Sequence, residues 1–147
     1  MQLRRMTAWV GVSSLIAAAA GMGPGCQGNV NTPPPPSGQM VSFANQIQPI
    51  FNAHCIDCHS GGGPPLSGVT LNLEAGVAYA AIVNQPSEQD ASFTLVVPGI
   101  PNGSLLYWKV SSDTPPVGST MPLFGARLSA NEVALLRDWI AQGAPNN

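Results

Sequence analysis

The chain has 147 residues, a net charge of −2, and 44% hydrophobic against 8% charged side chains. That is room for one domain plus an extension. So few charges exclude a solvated, disordered polymer, and the lack of any basic patch excludes a nucleic-acid binder.

Residues 1–25 read as a signal peptide. Arg4 and Arg5 precede an apolar run, "AWVGVSSLIAAAA" at 8–20. Such a run is short for a bilayer span and suits an export signal. Its removal leaves 3 basic and 7 acidic side chains, a net charge of −4. Cys55 and Cys58 pair by spacing, which leaves Cys26 odd. Directly after the apolar run, Cys26 suits acylation as a bacterial lipoprotein terminus, and Gly25 supplies the small residue before it. Cleavage near "AAAAG" is the rival, since Gly23 and Pro24 depart from the lipoprotein pattern. Residues 26–41 form a proline-rich tether whose four consecutive prolines favour polyproline II, reaching about 45 Å.

The domain is assigned to 42–147. In "SFANQIQPIFNAHC", Phe43, Ile47, Ile50 and Phe51 recur at helical spacing, with a start or bend at Pro49. Residues 60–70 are loop. "LNLEAGVAYAAIVN" at 71–84 predicts a short helix weakened by Gly76, and 101–112 a helix capped by Ser104. The three prolines in 113–125 exclude a regular element there. The last helix carries a capping box, Ser129 with Glu132, an apolar stripe of Val133, Leu136 and Ile140 widened by Leu135 and Trp139, and a stop at Gly143 and Pro145. Short helices joined by long loops bury little surface by themselves.

"HCIDCH" at 54–59 concentrates both histidines and two of the three cysteines. In one reading Cys55 and Cys58 form thioethers to the two vinyl groups of a haem, and His59 ligates its iron. A zinc site would need four ligands, and no second Cys or His cluster follows downstream. A redox dithiol would sit in a βαβ pattern that is not evident here. The haem reading asks for a sixth ligand, and only Met121 of the five methionines lies inside the domain. It stands on the proline-stiffened loop "GSTMPLFG", which suits a Met/His haem iron; a gap-filling methionine is the plain alternative. His54 adjoins Cys55 and is read as partly exposed and non-ligating. Phe93, Tyr107, Trp108, Phe124 and Trp139 are candidates for an apolar wall. Lys109, Arg127 and Arg137 are the candidate partners of haem propionates, Arg127 first.

On "IQPIFNAHCIDCH", "LNLEAGVAYAAIV", "VVPGIPNGSLLYWKV", "STMP" and "LSANEVALLRDWIAQGAP", the chain resembles the class I monohaem cytochrome c family. More closely, it is similar to the cytochrome c domains of exported planctomycete and myxobacterial proteins. The resemblance implies an all-α, cytochrome c-like fold of short helices and long loops around one covalently bound haem c, with His59 and Met121 as axial ligands. It also implies one-electron transfer between redox proteins rather than catalysis. Combined with the export signal and Cys26, the expectation is a periplasmic or envelope-anchored bacterial lipoprotein. A haem enzyme or a gas or redox sensor with an open sixth iron position is the alternative function.

Overall fold

The first helical stretch starts where Ser42 folds its hydroxyl back to accept the Asn45 amide at 3.2 Å. That side-chain cap opens a π-helical turn, Phe43–Ile47, which runs straight into α1, Gln48–His54. Pro49 falls in the first turn of α1, where its missing N–H costs nothing. The computed structural model describes residues 38–61 and 70–147. The export segment, Cys26, nearly all of the tether and most of the 60–70 loop lie outside the described residues.

Among the described residues the regular elements are all helical: α1, α2 (Ala78–Ile82), a 3₁₀ turn (Pro101–Gly103), α3 (Leu105–Ser111) and α4 (Ala130–Ala141). Three isolated bridges, Val83 with Val96, Pro86 with Thr94 and Thr94 with Ser104, hold the intervening loop without forming a sheet. The helix expected over 71–84 shrinks to five residues. Gly76 takes φ +87°, a left-handed conformation, so helical geometry begins only after it. No helix of the described residues is long and apolar enough to cross a membrane.

The 12-residue α4 packs across the first helical stretch and across α3. Its capping box is complete: Ser129 Oγ accepts from the Glu132 amide at 3.3 Å, and Glu132 Oε2 accepts from the Ser129 amide at 2.7 Å. Gly143 ends it at φ +95°. Ile47, Ile50, Leu135, Leu136 and Ile140 are each at most 1% exposed, and each such burial stabilises by about 1.5–3 kcal/mol. Trp139 is fully buried. Its ring meets Phe43 at 5.3 Å and Tyr79 at 6.5 Å, and its indole N–H donates to Pro145 O at 2.9 Å. Trp139 is therefore a core residue where α4 crosses the π-helical turn, which satisfies both its apolar ring and its polar edge.

Candidate cofactor site

The carboxyl end of α1 delivers the cysteine motif. The Cys55 amide completes the helix on Phe51 O at 2.9 Å, and the chain then folds into a turn in which Cys58 and His59 both donate to Cys55 O, at 3.1 and 2.9 Å. The turn gathers residues 55, 58 and 59 into one corner. His59 O accepts the Leu73 amide at 2.8 Å, which ties that corner to the segment before α2.

The opposite wall hangs from α3. A helix leaves its last carbonyls without intrahelical donors. Here the Met121 amide donates to Lys109 O at 2.7 Å, and Thr120 Oγ1 donates to Ser112 O at 2.8 Å. The irregular loop that the prolines of 113–125 impose is thus fixed by capping the end of α3. Met121 is half-buried and packs against the core.

Between these walls lies a cavity of about 980 Å³, lined by Cys55, Cys58, His59 and Met121 together. That is the upper end of the size usual for cofactor sites, roughly 300–1,000 Å³. Much of its wall is apolar, with Ile50, Phe51, Leu105, Leu106, Val110 and Leu136 on it. The aromatic wall expected from the sequence is mostly absent. Of its five candidates only Phe124 lines the cavity, at a rim where it is 73% exposed. Trp139 belongs to the core, and Trp108 points its N–H to Asn102 O at 2.8 Å on the surface. Phe51, placed by the same helical spacing that predicts α1, is the aromatic ring deep in the wall.

The donor chemistry fits a covalently held haem. Cys55 and Cys58 are both free thiols. The ring nitrogen Nδ1 of His59 is buried without a hydrogen-bond partner. Burial holds the His59 pKa below the ordinary imidazole value, against a smaller opposing effect of the Leu71 backbone. A neutral imidazole is the form that coordinates a metal. A redox dithiol fits less well, because burial first, then Cys58 and Glu132, push the Cys55 thiol up to about 12. Reactive dithiols need the opposite shift. A zinc site also fits poorly. Among the described residues no three His, Cys, Asp or Glu side chains are grouped to hold a metal ion.

His54 lies on the same wall but is committed elsewhere. Its Nε2 stands 2.9 Å from Glu132 Oε1. Burial alone would raise the Glu132 pKa, but hydrogen bonds from Ser129 and His54 outweigh it and hold the group below the usual carboxylate value. An ionised carboxylate only accepts, so Nε2 carries the proton. One carboxylate therefore caps α4 through one oxygen and tethers the end of α1 through the other. Sequence reasoning missed this pairing, for 78 residues separate the partners. Of the three candidate cations, Arg127 pairs with Asp113 at 3.3 Å and Arg137 with Asp138 at 2.8 Å, both outside the cavity. Lys109 is the cation that lines it.

No family model and no curated protein sequence matches the chain. Among solved structures, hydrazine synthase of Kuenenia stuttgartiensis aligns with 71% of this chain at 25% identity and a TM-score of 0.44. The aligned part is 16% of that chain, so the likeness covers a small portion of a much longer protein.

Proposed function

We propose that this chain is a one-electron carrier of the cell envelope, built around one c-type haem. The observation that carries the reading is the convergence of Cys55, Cys58, His59 and Met121 on a single largely apolar cavity of cofactor size. Cys55 and Cys58 supply the two thiols for thioether attachment. His59 supplies a neutral imidazole and Met121 a thioether, from walls built by different parts of the chain. When bound, the haem supplies the reversible one-electron iron couple, and methionine ligation raises its potential. The apolar wall works in the same direction by disfavouring the more highly charged ferric state.

If His59 and Met121 both hold the iron, a haem bound here would be left to electron transfer rather than substrate turnover. The cysteine motif, the Met-Pro loop and the last helix also carry the resemblance to class I monohaem cytochromes c. Export and acylation at Cys26 would place the domain on a membrane surface, with protein redox partners as electron donor and acceptor. The predominantly acidic mature chain favours partners with a basic docking face.

The test is an optical spectrum of the full chain expressed with a cytochrome maturation system. The expected result is covalent haem with sharp reduced α and β bands and, when oxidised, the near-infrared methionine–iron band. Haem lacking that band would move the reading to an open-iron enzyme or sensor. Protein without covalent haem would overturn it.

A further inference from the structure

Lys109 is only 8% exposed, yet it joins none of the ion pairs formed among the described residues. Lysine is almost never buried unless paired, because desolvating the ammonium is costly. Its Nζ donates to Gln89 Oε1 at 2.8 Å and to Ser119 O at 3.3 Å. An ammonium has three donors, so one remains.

The surroundings are shaped to this group. A side chain at Gly118 would put its Cβ 2.7 Å from Nζ and 2.9 Å from Gln89 Oε1, and Gly118 takes φ +60°. The loop passes close over the ammonium because the residue there is glycine. Glu88 lines the same cavity, but its two oxygens accept from the amide and hydroxyl of Thr70, each at 2.6 Å. Ser87, Gln89, Lys109 and Ser119, with Glu88 turned to Thr70, make this end polar, whereas Ile50, Phe51, Leu105, Leu106 and Leu136 supply apolar wall elsewhere. The occupant that matches is a largely apolar body with an anionic edge.

We propose that Lys109 is the cationic anchor for a carboxylate of the bound group, a propionate of the haem; the inference rests on the haem reading above. One residue then serves both sides of the cofactor. Its carbonyl holds the Met121 amide and its ammonium holds the acidic edge. Removing the ammonium would leave the propionate's negative charge uncompensated at the haem edge, and that would favour the ferric form.

The experiment is redox titration of the matured full-length protein as wild type, Lys109→Met and Lys109→Arg, with haem content measured in each. The expected result for Lys109→Met is full haem with the equilibrium shifted about tenfold toward ferric, a fall of about 59 mV for one electron, and substantial recovery in Lys109→Arg. An unchanged potential in a fully loaded Lys109→Met would overturn the proposal. So would loss of the shift in a Glu88→Gln background, which would make Glu88 the counter-charge. Should Lys109→Met fail to load or fold, resonance Raman on the wild type decides. One propionate bending mode displaced to its hydrogen-bonded position is expected, and two modes at the solvent-exposed position would overturn the proposal. A wild type without covalent haem would show, before any variant is compared, that the haem reading itself had failed.

Discussion

The two ends of the first helical stretch meet contrasting surroundings. At its start, Phe43 and Ile47 are closed in by the chain's own side chains, with Tyr79 and Trp139 packed ring against ring. At its end, His54, Cys55 and the following turn face a cavity whose far wall is an irregular loop. The first region is specified by periodicity and caps, which any helix pair uses. The second brings two thiols, an imidazole and a thioether to one cavity, and on the haem reading its stability would depend on the group they hold.

Five variants can break or sharpen that contrast. Replacing both cysteines, Cys55→Ala with Cys58→Ala, should remove all covalent haem, so that acid–acetone extracts every trace, and should lower the melting temperature more than any other change here. A double variant that melts like the matured wild type would erase the distinction between the regions. Trp139→Ala should cost about 3–5 kcal/mol in denaturant titration, while leaving the visible haem bands of the folded protein unaltered. A spectral change would show that the two regions are coupled. Met121→Ala should do the reverse: it should abolish the methionine–iron band and cost about 1 kcal/mol, since the side chain is only half-buried.

The smallest effect is the dependence on pH. Glu132 titrates below its ordinary 4.5 in the folded protein, because the hydrogen bonds of Ser129 and His54 outweigh the opposing effect of burial. Its folded pKa is depressed, so its contribution is present above about pH 4.5 and is lost as pH falls through the folded value. Glu132→Gln should flatten that acid limb in a plot of melting temperature against pH. Ser129→Ala should cost about 1 kcal/mol at neutral pH, with the loss confined to the start of α4.

Features encoded by neighbours in the chain were legible in the sequence: the Ser129–Glu132 box, the stop at Gly143, the start of α1 at Pro49 and the cysteine motif itself. The Cys55–His59 spacing puts three of the cavity's side chains on one turn, whereas Met121 reaches the same cavity only through the loop that caps the end of α3. What depends on distant packing was not legible. Ser104 does precede α3, but its hydroxyl accepts the Val97 amide at 2.9 Å and donates to Ile100 O at 2.9 Å instead of capping the helix. The tight turn at Pro101–Gly103 brings those backbone groups to it. Of the five aromatic candidates, Trp139 and Tyr107 pack on the core and Trp108 stands on the surface, and only Phe124 reaches the cavity, at its rim. Arg127 is near Met121 in sequence, yet Asp113 holds it outside, whereas the helical phase of α3 turns Lys109 inward.

The segment before the first helix is clasped to the far end of the chain. The Val41 amide donates to Gln142 Oε1 at 2.7 Å, Gln142 Nε2 donates to Gln39 O at 3.2 Å, and the Phe43 and Ala44 amides both end on Asn147 at 2.9 Å. In mechanical terms this is a strain relief. A pull transmitted through residues 38–41 is carried into the end of α4 and the Trp139 core, and reaches the cysteine turn only after that clasp has parted. The geometry around Cys55, Cys58 and His59 is thereby insulated from the motions of anything to which the preceding segment is fastened.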